Sequence, residues 1–213
     1  MDLQVAALWR YPVKTLAGES LSTADLGPGG IRGDRVVRVM GPEGVRTARR
    51  QYRLLGLRGT LGPDGSPRID GHRWDGPEAL ALVKHAAGAD AWLQACDGLG
   101  RFDILPLLVA TDGAVAAFGR DVRRLRPNIV IGGVEGLDER SWPGARLHVG
   151  DAIVRIDSLR GRCHMTTVDP DTLAIEPDVL RDIVRRFGGR LALNAEVVRP
   201  AAIRVGDPVR LVR

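Results

Sequence analysis

The chain has 213 residues, enough for one large domain or two small ones with a sizeable core, and a formal net charge of +5 at pH 7. It has no apolar run long enough to span a bilayer and no basic-then-apolar leader after Met1. Its two cysteines form no CxxC or zinc spacing, which is typical of a reducing compartment. These features predict a cytoplasmic protein without a membrane partner.

The first seventy residues predict short β-strands separated by turns. Gly41-Pro-Glu-Gly44 and Gly62-Pro-Asp-Gly65 are strong turn signals, and Val45 to Thr47 could pair back as a hairpin. An antiparallel meander is the simplest interpretation of this part. The predicted strands cover residues 3–9, 20–26, 34–40, 54–61 and 68–70.

The remaining residues add further strands and a few helices. The clearest helix is predicted at 177–187, where apolar residues recur at helical spacing before Gly188-Gly189. Because helices do not alternate regularly with strands, we expect a mainly β (α+β) fold with a barrel-like core. The other predicted helices cover 78–87 and 111–118, and the strands cover 105–110, 127–131, 146–156, 191–198 and 209–212.

The positive charge is almost entirely arginine, since Lys14 and Lys84 are the only lysines among 31 basic residues. Arginine binds phosphate and carboxylate through a planar fork, which indicates an anion site. A solvated basic surface is the alternative for most of these residues. Basic and aromatic residues do not alternate, so nucleic acid is not an expected partner.

Cys163 is the candidate reactive residue. It follows a strand-like stretch and precedes the β-branched run Thr166-Thr167-Val168, so we expect the thiol to lie between two strand ends. Arg160 and Arg162 flank it and should favour the thiolate, which is the form that acts as nucleophile and metal ligand. A small buried hydrophobe is the alternative interpretation of a free cysteine, and we expect it for Cys96.

Four segments in order carry a resemblance to a known family. Together they resemble the MOSC family, named after the C-terminal domain of molybdenum cofactor sulfurase, and particularly its subgroup of amidoxime-reducing molybdoenzymes with a β-rich N-terminal part. The segments are Tyr11-Pro12-Val13-Lys14-Thr15 with Gly18-Glu19; Gly33-Asp34-Arg35 with Thr47-Ala48-Arg49; Arg126-Pro127-Asn128-Ile129-Val130-Ile131; and Trp142, Gly150-Asp151 and Arg162-Cys163 with Thr166-Thr167-Val168-Asp169-Pro170.

The resemblance implies a pterin-bound molybdenum whose protein ligand is Cys163. Lys14, Thr15, Arg35 and Arg126 match cofactor-binding positions of the family, with Thr15 in place of a serine. Such a cofactor carries a phosphate and is strongly anionic, so lysine, arginine forks and a hydroxyl are suitable donors. The full predicted cofactor set is Lys14, Thr15, Arg35, Arg126, Asn128, Arg162 and Cys163.

The sequence leaves the roles of three further residues open. Asn128 could bond the pterin or form a strand-end turn, and His164 could deliver protons or face away. Where the family often has a small polar residue before the proline aligned with Pro106, this chain has Leu105. Asp103 is then the only polar candidate there, and it could simply turn the chain.

The implied activity is reduction of N-oxygenated small molecules, such as N-hydroxylated bases, amidoximes and N-oxides. Electrons would come from a separate donor protein of reductase, ferredoxin or cytochrome type. Sulfur transfer through a Cys163 persulfide and a cofactor carrier are the alternatives, because both use the same thiol and anion site. We expect a β-rich N-terminal part at 1–75 and a MOSC domain at 76–213, packed as one unit.

Overall fold

The computed structural model describes residues 2–213, and the mainly β fold predicted from the sequence is confirmed. Within this range seventeen strands and three α-helices alternate irregularly. The strands are β1 (Gln4–Arg10), β2 (Glu19–Leu21), β3 (Thr23–Gly27), β4 (Gly30–Ile31), β5 (Val37–Gly41), β6 (Gly44–Val45), β7 (Gly59–Leu61), β8 (Pro67–Ile69), β9 (His72–Arg73), β10 (Trp92–Ala95), β11 (Leu107–Thr111), β12 (Ile129–Gly132), β13 (Arg146–Val149), β14 (Ala152–Gly161), β15 (Arg190–Arg199), β16 (Ala201–Arg204) and β17 (Val209–Val212). The helices are α1 (Pro77–Ala87), α2 (Asp112–Phe118) and α3 (Pro177–Phe187).

The main sheet of the described chain has eight strands in the order β17-β13-β14-β15-β11-β12-β1-β2. Only β11 and β12 run parallel, with α2 crossing between them. The sheet is not closed by a full ladder, although an isolated Gln4–Pro208 bridge joins β1 to the residues before β17. β1 and β2 therefore share a sheet with strands from the C-terminal half.

The buried hydrophobic side chains of the described chain form four separate clusters. The largest lies within the main sheet and includes Leu8, Ile131, Leu147 and Ile156, all at most 1% exposed. A second packs α1 against β5 and β8, and Val83 is fully buried there. Each such side chain contributes about 1.5–3 kcal/mol through removal from water.

The three helices lie where the sequence predicted them, and capping residues mark where two of them begin or end. Thr111 begins α2 by accepting a hydrogen bond from the Ala114 N–H on its side-chain oxygen. Helix α3 buries Val179, Ile183 and Phe187 and ends at Gly188, whose φ of 63° is left-handed. In residues 2–213 no helix is both long and apolar enough to cross a membrane.

The predicted N-terminal meander is wrong. Strands from the first seventy residues enter four different sheets, because β3 pairs with distant β16 and β5 pairs with β10. The strand predicted at 54–61 is also only partly correct, since Tyr52–Gly56 is a 3-10 helix before β7. Strand partners depend on contacts that local alternation does not encode.

Candidate functional site

Sequence-distant residues meet in one cleft, which is lined by the loops after β1 and β6, the segments before β5, β11 and β12, and the end of β14. We call it the cationic cleft, and it adjoins the main sheet near Leu107 and Leu108. All seven residues that the sequence singled out line it: Lys14, Thr15, Arg35, Arg126, Asn128, Arg162 and Cys163. Further polar lining comes from Thr47, Arg49, Asp103, Arg124, Arg160 and Asn194.

Three of these residues have left-handed backbone conformations. The φ angles of Thr15, Arg35 and Arg126 are 84°, 54° and 56°. Such angles are uncommon outside glycine and disfavoured above all for a β-branched residue such as Thr15. Strained backbone of this kind persists where the surrounding structure imposes it, and it clusters at functional sites.

The Tyr11 ring packs against the guanidiniums of two of these arginines. The Arg126 guanidinium carbon lies 4.3 Å from the centre of the Tyr11 ring, and that of Arg35 lies 5.2 Å from it. Burial raises the pKa of Tyr11 to about 12, although Arg126 and Arg35 oppose this. The Tyr11 hydroxyl therefore stays protonated at neutral pH and donates to the Pro127 carbonyl oxygen at 3.1 Å.

Two half-buried guanidiniums, those of Arg126 and Arg162, lack a carboxylate partner within residues 2–213. Burial lowers the pKa of both Arg126 and Arg162 to about 10, which still leaves them charged at neutral pH. Arg162 donates only to the Leu125 carbonyl oxygen, and its Nε is buried without a partner among the described residues. Buried unpaired charge is unfavourable, so this end of the cleft is suited to an anion.

Cys163 is half-buried and begins a 3-10 helix at His164–Thr167. The predicted strand after the thiol is therefore wrong. Thr166 and Thr167 bond the carbonyl oxygens of Cys163 and His164 through their hydroxyls at 2.8 and 2.7 Å, which favours the tight turn over a strand.

Arg49 is a cation that lines the cleft together with the Cys163 thiol. Its pKa is raised, first by a hydrogen bond with the Cys163 sulfur and also by the charge of Asp103. The Arg49 guanidinium is thus a positive neighbour of the sulfur. The sequence placed Arg49 in a family motif without assigning it this contact.

A buried ionic network fixes the segment that follows Cys163. The Arg124 side chain is 3% exposed and pairs with Asp169 at 2.8 Å and Glu176 at 2.9 Å. It also donates to the Thr166 carbonyl oxygen at 3.2 Å. The arginine therefore holds the 3-10 helix that carries Cys163 at its start.

Asp103 lies within the cationic cleft, where the sequence left it as a turn former or contact residue. Its carboxylate lies 2.8 Å from the Lys14 Nζ and 3.4 Å from guanidinium nitrogens of both Arg49 and Arg160. Burial opposes its ionisation, but the hydrogen bond from Lys14 and the three positive charges outweigh this and lower its pKa.

The side-chain amide of Asn128 makes its hydrogen bonds to other residues of the protein. Its oxygen accepts from the Leu108 N–H at 3.1 Å and from Arg35 at 3.4 Å, and its nitrogen donates to the Trp9 carbonyl oxygen at 3.3 Å. The side chain thereby ties β1 to β11 and orients Arg35. His164 is exposed and absent from the lining, while Cys96 is buried away from the cleft.

The chain belongs to the MOSC family. Residues 2–103 match the MOSC N-terminal beta barrel domain, and residues 112–210 match the MOSC domain. The two matches together span nearly all of the described chain, and the first ends at Asp103. The division predicted near residue 75 stays a prediction.

Among known proteins the chain is similar to mitochondrial amidoxime reducing components. It is 30% identical to component 2 from Homo sapiens over 128 residues, which are 50% of this chain and 37% of that protein. It is 26% identical to component 1 from Mus musculus over an alignment covering 98% of this chain and 82% of that protein. The chain thus spans well under half of the human relative that it matches.

A solved structure supports the fold. The YuaD protein from Bacillus subtilis superposes with a TM-score of 0.56, covering 99% of this chain and 96% of that one. The sequence identity is 14%, so the similarity concerns the fold alone.

Proposed function

We propose that this protein binds a molybdenum cofactor in the cationic cleft, with Cys163 as its protein ligand to the metal. The observation that carries the proposal is the meeting of one thiol with unpaired arginines in a single cleft. Arg126 and Arg162 have no carboxylate partner within residues 2–213, and Arg49 lines the same cleft as Cys163. A thiol beside an anion site fits a ligand that carries both a phosphate and a metal.

The donor set agrees with the chemistry of that cofactor. The buried Nε of Arg162 has no partner among the described residues, and Thr15 lines the same cleft with its hydroxyl-bearing side chain. No group of three or more potential metal-ligating side chains occurs in residues 2–213. A lone thiolate is therefore suited to a metal that brings further ligands with it, and a soft sulfur suits such a transition metal.

We further propose that the protein reduces N-oxygenated compounds, as the names of its mitochondrial relatives suggest for them. The bound cofactor would supply the redox chemistry. Removal of one oxygen atom as water takes two electrons and two protons, so a separate electron-donor protein is needed. The chain's own residues would bind the anionic group, orient the thiolate through Arg49 and exclude water around Leu107.

The decisive measurement is the metal and pterin content of freshly purified protein, followed by turnover. We expect about one molybdenum per chain by mass spectrometry of the digested sample, and a fluorescent pterin after oxidation. With a chemical electron donor, the loaded protein should reduce a model amidoxime. A persulfide on Cys163 without molybdenum would instead support sulfur transfer.

A further inference from the structure

The cations of the cationic cleft differ in their partners. Arg126 and Arg162 face the cleft without a carboxylate in the part of the chain that the structure describes, whereas Arg35 and Arg124 pair with acids outside the lining. The remaining three cations surround a carboxylate that belongs to the lining itself. These three are Lys14, Arg49 and Arg160.

Asp103 is the single acidic residue among the described residues that line the cleft. Its two oxygens are shared between three cations, since Lys14 contacts Oδ1 while Arg49 and Arg160 contact Oδ2. Three converging positive groups at 2.8–3.4 Å resemble the surroundings of a bound oxyanion more than an ordinary ion pair.

The side chain of Asp103 is 39% exposed, so its carboxylate is not locked in place by burial. Arg160 is different, because burial lowers its pKa against the opposing charge of Asp103. Lys14 and Arg160 have side chains only 16% and 21% exposed, whereas Arg49 is 52% exposed. Lys14 and Arg160 are therefore the more fixed part of this arrangement, and the carboxylate is the part that can leave. Arg49 also links the arrangement to the Cys163 sulfur.

We propose that Asp103 is a specificity-determining residue that occupies an oxyanion subsite formed by Lys14, Arg49 and Arg160. An incoming anionic group can bind in the subsite only by displacing the Asp103 carboxylate. Free phosphate and similar small oxyanions are thereby kept from the region beside Cys163. The proposal rests on the proposed function only in treating the cleft as an anion site, and it requires no molybdenum.

The test is calorimetric titration of inorganic phosphate into the full chain after removal of bound anions. Asp103→Asn should bind phosphate about five- to tenfold more tightly than the unmodified protein, because the internal competitor is gone. Asp90→Asn is the matched control, since Asp90 pairs with Arg46 away from the cleft and its loss changes net charge equally. It should leave phosphate affinity unchanged.

Asp103→Ser serves as a second variant in case the asparagine protein is poorly folded, and melting temperatures report folding of each. Equal phosphate affinity in the unmodified protein and both Asp103 variants overturns the proposal. Weaker binding in the variants also overturns it, since Asp103 would then hold the cations in position. If the purified protein contained no molybdenum but its Asp103 variants still bound phosphate more tightly, only the proposed function would be contradicted.

Discussion

The guanidinium of Arg126 stacks on the ring of Tyr11 at 4.3 Å while its backbone takes a left-handed φ of 56°. The ring limits where the fork can point, and the side chain lines the cleft. A cation on an aromatic face gains about 0.5–2 kcal/mol, which offsets part of the strain. Position, rather than charge alone, therefore distinguishes Arg126 from the exposed arginines.

Replacement of Cys163 by serine should abolish molybdenum retention and reduction of N-hydroxylated substrates. A hard alcohol stays protonated at neutral pH and is a poorer ligand for a transition metal than the soft sulfur of a thiolate. Molybdenum is measured by mass spectrometry and turnover with a chemical donor. Cys96→Ser is the control and should retain both properties. Full molybdenum in the Cys163 variant would disprove the proposed ligand.

Replacement of Thr15 by glycine should stabilise the fold while reducing cofactor content. Glycine adopts the observed φ of 84° without strain, so the free energy of unfolding should rise by about 1 kcal/mol. The hydroxyl, carried by a side chain that lines the cleft, is lost. Thr15→Ser keeps that hydroxyl and should retain the cofactor. Urea unfolding and pterin fluorescence measure the two effects, and unchanged pterin in the glycine variant would exclude Thr15 from the site.

Replacement of Arg124 by lysine should loosen the segment after Cys163. A single ammonium cannot reach Asp169, Glu176 and the Thr166 carbonyl oxygen together, so about 2 kcal/mol of stability should be lost. Hydrogen exchange of residues 163–169 should accelerate.

The matched control for this change is Arg123→Lys. Arg123 pairs with Asp121 and Asp171 near the surface, where ion pairs contribute at most about 1 kcal/mol. Hydrogen exchange of residues 163–169 in the Arg123→Lys variant should match that of the unmodified protein. Equal exchange in the two variants would mean that Arg124 does not hold the thiol segment.

Glu139 should make stability depend on pH in a predictable direction. Burial raises its pKa in the folded state above the usual 4.5, although a hydrogen bond from Thr111 opposes this. The folded protein binds the proton more tightly than the unfolded chain, so this contribution to stability is lost as pH rises from 4.5 through the raised value.

Glu139→Gln stays neutral and removes that loss. The variant should therefore gain stability relative to the unmodified protein between about pH 4 and about pH 7.5, as measured by urea unfolding at both values. Asp138→Asn, next to it in the chain, is the control and should show no comparable gain. A stability difference between the Glu139→Gln variant and the unmodified protein that stays constant at the two pH values would contradict the assigned burial effect.

The sequence alone predicted the structural features that depend on neighbouring residues along the chain. Helix α3 begins and ends as its apolar spacing and terminal glycines indicate, and Thr111 caps α2 as its position suggested. The residues of the candidate site were also recognisable, because their motifs are short and contiguous. Strand partners such as β3 with β16 were not, since pairing is set by contacts between distant segments.

Only the tertiary structure determined how the site residues act on one another. Lys14, Arg49 and Arg160 come from segments far apart in the chain, and their meeting around Asp103 depends on the packing of both matched domains. The same packing places Arg49 and Cys163 in one lining, while the Arg162 guanidinium donates to the Leu125 carbonyl oxygen. Electrostatic interactions depend on distance in space and on burial, and neither is encoded by local sequence.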